Sequence, residues 1–176
     1  MTDRELEVTD IGFDTFRSIM GSFASGVSVI TSLDHESRPC GMTCSAVCSV
    51  SANPPLLLSC VRTPSYTLKA IKARRRFAVN FLDTEASALS DLFASRTDNK
   101  FAAVSWRYSD DGGMPLLEST VAYAECTIHD LVSAGDHEIV LGRVVGGWAA
   151  PDRFPLGYWR GSYVRVFRLS RRKGGL

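Results

Sequence analysis

Between Met42 and Val50 the chain keeps a two-residue period that suits an extended strand. Met42, Cys44, Ala46, Cys48 and Val50 fall on one side of it. Thr43, Ser45, Ser49 and Ser51 fall on the other, and Val47 alone interrupts the row of hydroxyls. Successive side chains of a strand point to opposite faces, so the pattern predicts an apolar stripe on a core and a hydroxyl-bearing face turned away from it. A helix would scatter both sets around its axis. Pro39-Cys40-Gly41 breaks regular structure before the run, and Asn53-Pro54-Pro55 breaks it afterwards. The alternation therefore predicts one long strand over 42–50.

Most other segments are of the same kind. β-rich or apolar runs predict strands at 27–31, 56–61, 77–82, 121–131, 138–145 and 163–167. Ser133-Ala134-Gly135-Asp136-His137 is a hairpin-sized link, and 110–113 is a turn. Helices are few and short. One covers 65–73, with Leu68 and Ile71 inward and Lys69 and Lys72 outward, and another covers 86–93. Near the start Phe13, Phe16, Met20 and Phe23 recur at helical spacing before Gly26, predicting an amphipathic helix packed on the sheet. Many strands without regular β-α alternation predict a mainly β protein, a barrel with short flanking helices. No repeat, biased tract or linker divides the 176 residues, so one domain is expected.

Several function classes drop out. A net charge of +1 offers no bulk attraction to nucleic acid or anionic lipid. The basic tail at Arg171, Arg172 and Lys173 reads as a solvated terminus. No apolar run reaches the roughly 20 residues of a membrane span. Asp3, Glu5 and Glu7 break the charge order of a signal peptide, and five cysteines, an odd number, do not make a disulfide framework. The expected compartment is the cytoplasm. The glycines of Gly21-Ser22-Phe23-Ala24-Ser25-Gly26-Val27-Ser28 have phosphate-loop spacing, but Val27 stands where the lysine must be. Cys40, Cys44 and Cys48 lack the closer paired spacing of a zinc site, so no metal is expected.

Two features carry chemistry. The hydroxyl face is either a solvated strand face or a flat shelf of donors and acceptors for a planar heteroaromatic ligand. The segment Arg62-Thr63-Pro64-Ser65-Tyr66-Thr67 ends a strand and opens a helix, where backbone amides and hydroxyls suit a phosphate. Lys100, beside Phe101, offers a further positive charge.

Taken in order, these segments resemble the flavin reductase domain. The resemblance rests on Gly41-Met42-Thr43-Cys44-Ser45-Ala46-Val47-Cys48-Ser49-Val50-Ser51, followed by Asn53-Pro54-Pro55-Leu56. It continues through Phe77-Ala78-Val79-Asn80-Phe81-Leu82, Asp98-Asn99-Lys100-Phe101 and Gly135-Asp136-His137-Glu138-Ile139. It closes on Pro155-Leu156-Gly157-Tyr158-Trp159-Arg160-Gly161-Ser162-Tyr163, and spans about 16–166. The resemblance implies a split β-barrel of the Greek-key, FMN-binding type, forming a homodimer with flavin at the subunit boundary. It implies reduction of free FAD, with FMN as the alternative, by NADH. Reduced flavin would pass to a separate monooxygenase, in aromatic hydroxylation or antibiotic biosynthesis.

By position the resemblance puts Thr43 and Ser45 at the isoalloxazine edge, with Cys44 between them and Ser49 nearby. Cys60, Val61, Arg62, Ser65, Tyr66 and Thr67 would surround the ribityl phosphate, assisted by Lys100 and Phe101. His137 would serve the nicotinamide side as the catalytic residue, and Tyr163 would flank it. NADH is favoured over NADPH because no arginine cluster for a 2′-phosphate stands near Gly135-Asp136-His137-Glu138. Cys44, Ala46 and Cys48 depart from the pattern. The alternative from another class is a non-catalytic flavin-binding electron carrier on the same barrel. A pyridoxal-phosphate-related oxidase would need a basic cluster that is not evident, and an interaction module would leave the hydroxyl shelf unexplained.

Overall fold

The computed structural model describes residues 10–110 and 113–168. In chain order the elements are α1 (Phe13–Gly21), β1 (Ser25–Gly26), β2 (Ser28–Leu33), β3 (Pro39–Cys44), β4 (Val47–Ala52), β5 (Pro55–Arg62), α2 (Tyr66–Arg74), β6 (Arg76–Leu82) and α3 (Ser87–Ala94). A 3₁₀ turn at Lys100–Ala103 follows, then β7 (Trp106–Tyr108), β8 (Pro115–Leu117), β9 (Thr120–Ala134), β10 (His137–Ala149), β11 (Leu156–Trp159) and β12 (Ser162–Arg165). The protein is mainly β. No described helix is long and apolar enough to cross a membrane.

Seven strands form one antiparallel sheet in the order β3-β2-β6-β9-β10-β5-β4. Its two edges, β3 and β4, come from the run expected as a single strand. Cys44 pairs with Ser28 of β2, whereas Val47 pairs with Ser59 of β5 on the opposite edge. A straight strand cannot serve both edges, so the chain turns a corner at Ser45-Ala46. The corner is held by Cys60, whose N–H donates to the Ala46 carbonyl at 3.0 Å. Among the described residues no ladder joins β3 to β4, so the sheet stays open.

The corner also breaks the expected sharing of faces. Cys44 is buried and Cys48 is exposed, so the two thiols do not lie on one apolar stripe. The main core lies between the curved sheet and α2, where Ile30, Val61, Ile71, Phe77, Val79 and Val140 are fully buried. A second cluster under α3 joins Val29, Leu82, Phe93, Phe101 and Leu156.

Three expectations need correction. The strand expected at 163–167 does not close the main sheet. It forms β12, pairs with β11 through Tyr163 and Tyr158, and belongs with β1 to a separate three-stranded sheet. The link between β9 and β10 is shorter than expected, because the ladder continues to His137 opposite Ala134 and leaves only Gly135-Asp136 in the turn. Gly135 has φ +60°, which a side chain would resist. Finally, α1 forms but does not pack on the sheet. Phe13 is 75% exposed and Phe16 53%, because among the described residues only the β11–β12 turn stands beside the helix and it leaves the apolar face uncovered. β7 and β8 pair as a short antiparallel ladder; residues 111 and 112 of the turn expected at 110–113, like the basic tail at 171–173, lie outside the described residues.

Gly142 in β10 sits under the Phe77 ring. A Cβ there would stand 2.5 Å from Phe77 Cζ and 3.0 Å from Cys126 Cβ, both inside the main core. Overpacking of this kind costs about 1–3 kcal/mol. Gly142→Ala is therefore expected to lower the unfolding free energy by that amount, read as a lower urea midpoint at unchanged m value, and an unchanged midpoint would mean that Phe77 moves freely.

Candidate functional site

The end of β5 and the start of α2 build the first half of the site. After Arg62 the chain passes through Thr63-Pro64 and reaches Ser65, which is extended and caps α2, its Oγ accepting the Leu68 N–H at 3.3 Å. Serine does this well because its short side chain reaches an amide that the helix leaves unpaired. A cavity of about 530 Å³ opens here, walled by Met42 of β3, Arg62, Ser65 and Tyr66, with Arg96 and Lys100 opposite. Lys100 Nζ donates to the Phe93 carbonyl at the end of α3 at 2.8 Å, and burial lowers its pKa. Thr67 lines the same cavity, as does Phe101. Phe101 is buried and packs edge-to-face on Phe93 and Trp106 at 5.1 and 5.3 Å, so its first role is core.

A second cavity of about 540 Å³ lies on the other side of the corner, walled by Gly26, Ser45, Cys48, Cys60, Tyr158 and Arg160. Met42 and Ser45, like Arg62 and Cys60, are two or three positions apart, about 7–10 Å of extended chain. The two cavities thus flank one short stretch of β3 and β5. One is basic and meets a capped helix start; the other offers small side chains, a hydroxyl and aromatic walls.

The remaining expected residues stand behind or beside this pair. Thr43 Oγ1 donates to the Ser90 carbonyl at 2.6 Å, so that hydroxyl ties β3 to α3. Cys44 and Val61 are buried. Ser49 borders a third, apolar cavity with Leu57, Phe81 and Val144. His137 opens β10 directly opposite Arg62 in the ladder and lines neither of the first two cavities. Its Nδ1 lies 2.7 Å from Asp136 Oδ1, and this bond lowers the Asp136 pKa. Thr63 holds the turn in place, its N–H and hydroxyl both donating to the Asp136 carbonyl at 2.9 and 3.0 Å. Tyr163 donates to Asp91 Oδ1 at 2.6 Å and meets the Tyr158 ring at 5.6 Å, so it backs a wall residue of the second cavity. Burial, and then the bond to Asp91, raises its pKa.

Tyr158, Trp159 and Arg160 were missed as wall residues, as was Arg96. The pairing of β1 with β11 brings the first three to Gly26, more than a hundred residues away, and no local pattern announces that contact.

The flavin reductase like domain, as a family model, matches residues 20–166. The chain belongs to that family. It is 47% identical over 154 residues to a flavin reductase (NADH) from Kitasatospora aureofaciens, covering 86% of this chain and 81% of the relative. It is 37% identical over 154 residues to HsaB, the reductase subunit of a flavin-dependent monooxygenase from Mycobacterium tuberculosis, with the same coverage. Among solved structures, a Streptomyces globisporus NADH:FAD oxidoreductase in complex with NAD and FAD fragments superposes with a TM-score of 0.83 at 31% identity. That match covers 96% of this chain and 100% of the other.

In this flavin reductase the cysteines divide sharply. Burial pushes the Cys40 and Cys126 thiols up to about 12 and Cys44 up to about 11, with the charge of Asp34 adding at Cys40. Cys48 is exposed and Cys60 half-buried, both on the second cavity. Thiolate is the reacting form. A disulfide reagent at mildly alkaline pH is expected to titrate Cys48 and Cys60 in the native flavin-free protein, and all five thiols after denaturation. Peptide mapping that finds Cys40, Cys44 or Cys126 labelled first would contradict the burial.

Proposed function

We propose that this chain reduces free flavin with NADH and hands the reduced flavin to a separate flavin-dependent monooxygenase. The observation that carries the reading is the pair of cavities about one corner, in a member of the flavin reductase like domain family. A flavin has a flat ring and a phosphate-bearing chain, and the linings of the two cavities suit those two parts in chemistry. Flavin is the substrate, with FAD preferred and FMN the alternative; NADH is preferred over NADPH.

In this reading Ser45 and the backbone of the corner meet the ring edge beside Cys60, and Tyr158 walls the ring cavity. Thr43 fixes β3 on α3 from behind, Cys44 and Val61 support the wall from the core, and Ser49 lies farther out. Arg62, the Ser65 cap, Tyr66, Thr67 and Lys100 hold the phosphate end, over the buried Phe101. His137, oriented by Asp136, serves the NADH side from the neighbouring strand, while Tyr163 braces Tyr158. The bound nicotinamide supplies the hydride and the flavin accepts it. The protein's task is to hold the two rings at about 3–3.5 Å in the right orientation, which calls for rigid walls more than for proton transfer.

The reading extends to the assembly. The exposed apolar side of α1, with Phe13, Phe16 and Ile19, fits burial against a second copy. Met20 and Phe23 border the ring cavity, which suits flavin at a subunit boundary. The approach of β5 to the corner between the two edge strands, at Cys60 and Ala46, suits a split barrel. Five free thiols favour the reducing cytoplasm.

Purified protein is expected to consume NADH only when flavin is added, with FAD supporting faster turnover than FMN. A yellow protein without turnover would favour the bound-flavin carrier, and neither binding nor turnover would sink the proposal. His137→Ala is expected to raise KM for NADH about tenfold, the loss of roughly one hydrogen bond, while KM for flavin barely moves. Unchanged NADH kinetics in that variant would remove His137 from the site.

A further inference from the structure

The turn between β2 and β3 is bound to both ends of α2, and Asp34 makes every one of those bonds but one. Its side chain is 5% exposed. Oδ1 accepts the N–H groups of Glu36 and Arg38, each at 2.9 Å. Oδ2 accepts Nε of Arg38 at 2.9 Å and the hydroxyl of Tyr66 at 2.7 Å. The Asp34 carbonyl accepts two bonds from the Arg74 guanidinium, at 3.2 and 2.9 Å, and Ser37 takes the remaining contact with that group. Tyr66 is the first residue of α2 and Arg74 the last.

Fold stability alone does not call for the bond to Tyr66. The hairpin already closes through the Asp34 N–H and the Arg38 carbonyl, and α2 is already seated by Leu68 and Ile71 in the core. Tyr66 itself is 57% exposed. What the bond adds is a fixed orientation. Beyond the turn, β3 runs directly into Pro39, Cys40 and Met42, one wall of the first cavity, and the opening turn of α2 is the wall that faces them. Burial by itself would raise the Asp34 pKa, but the hydrogen bonds from Tyr66 and Arg38 outweigh it and hold the carboxyl well below its usual range. Asp34 is therefore an anion throughout the neutral range.

We propose that Asp34 is a positioning residue for the phosphate-bearing end of the flavin: through Tyr66 it holds the capped first turn of α2 at a set distance from β3. The inference rests on the reading of the first cavity as the phosphate pole. Amide and hydroxyl donors at a helix start reward an anion only at hydrogen-bond distance, so a small swing of this turn loses several charge-assisted bonds together. A flavin lacking phosphate would not sense the swing.

The test is binding of FMN, FAD and riboflavin, followed by flavin fluorescence, to the wild type, Asp34→Asn, Tyr66→Phe and the double variant. Each single change is expected to weaken FMN and FAD about three- to tenfold and to leave riboflavin unchanged. The double variant is expected to be no weaker than the weaker single, since both act through one bond. In turnover by Asp34→Asn, KM for FMN should rise while kcat at saturating flavin holds. Equal weakening of riboflavin and FMN, additive losses in the double variant, or full FMN affinity in Asp34→Asn would each overturn the proposal. Should Asp34→Asn fail to fold, Tyr66→Phe breaks the same bond from its other side, with the same FMN-selective loss expected and its absence decisive against the clamp. Wild-type protein that binds riboflavin as tightly as FMN would instead reject the phosphate pole itself, a result distinct from failure of the clamp.

Discussion

The hydrogen bond from the Cys60 N–H to the Ala46 carbonyl stands at the point on which the rest of the molecule turns. It fixes the corner that carries the chain from one edge of a seven-stranded sheet to the other. Because β3 and β4 are those edges, the corner sets how far the sheet curls and brings β3 near β5 without joining them in a ladder. A closed cylinder would have filled this seam with backbone pairing. The open seam instead exposes a short stretch of strand with a cavity on either side.

Chemistry divides along the same line. On one side the strands end at a helix start with cations around it, and on the other they end among small side chains and aromatic rings. Hydride transfer between two bound rings asks a protein for position and exclusion of water. Side chains accordingly serve as much to hold walls as to touch ligand. Thr43 spends its hydroxyl on α3, Tyr163 spends its own on Asp91, and Asp34 is wholly engaged with its own turn and α2.

The second cavity also shows what one chain leaves unfinished. α1 borders it through Met20, yet every residue of that helix lies outside the core, so among the described residues the apolar face that its sequence prepares stays uncovered. An amphipathic helix gains little stability until that face is covered. Covering it and walling the ring cavity are therefore one event, which ties site completion to assembly in the proposed dimer.

Local order was legible in the sequence wherever neighbouring residues decide it. Ser65 marked the start of α2 because a cap needs only the next three residues, and Leu68 and Ile71 marked its buried side by spacing alone. The strands β5, β6, β9 and β10 followed from composition and period, and Arg62, Ser65 and Lys100 followed as candidates from charge and helix polarity. Tertiary structure alone decided the rest. Residues 42–50 keep their alternation, broken only by Val47, because both sides of a corner are extended, so period 2 cannot reveal that Cys44 answers to Ser28 and Val47 to Ser59. Nor can it reveal that Thr43 meets Ser90, that Tyr158 reaches the ring cavity, or that Asp34 reaches Tyr66. The last three join residues 32 or more positions apart, and a pattern read over a few neighbours carries no information at that range.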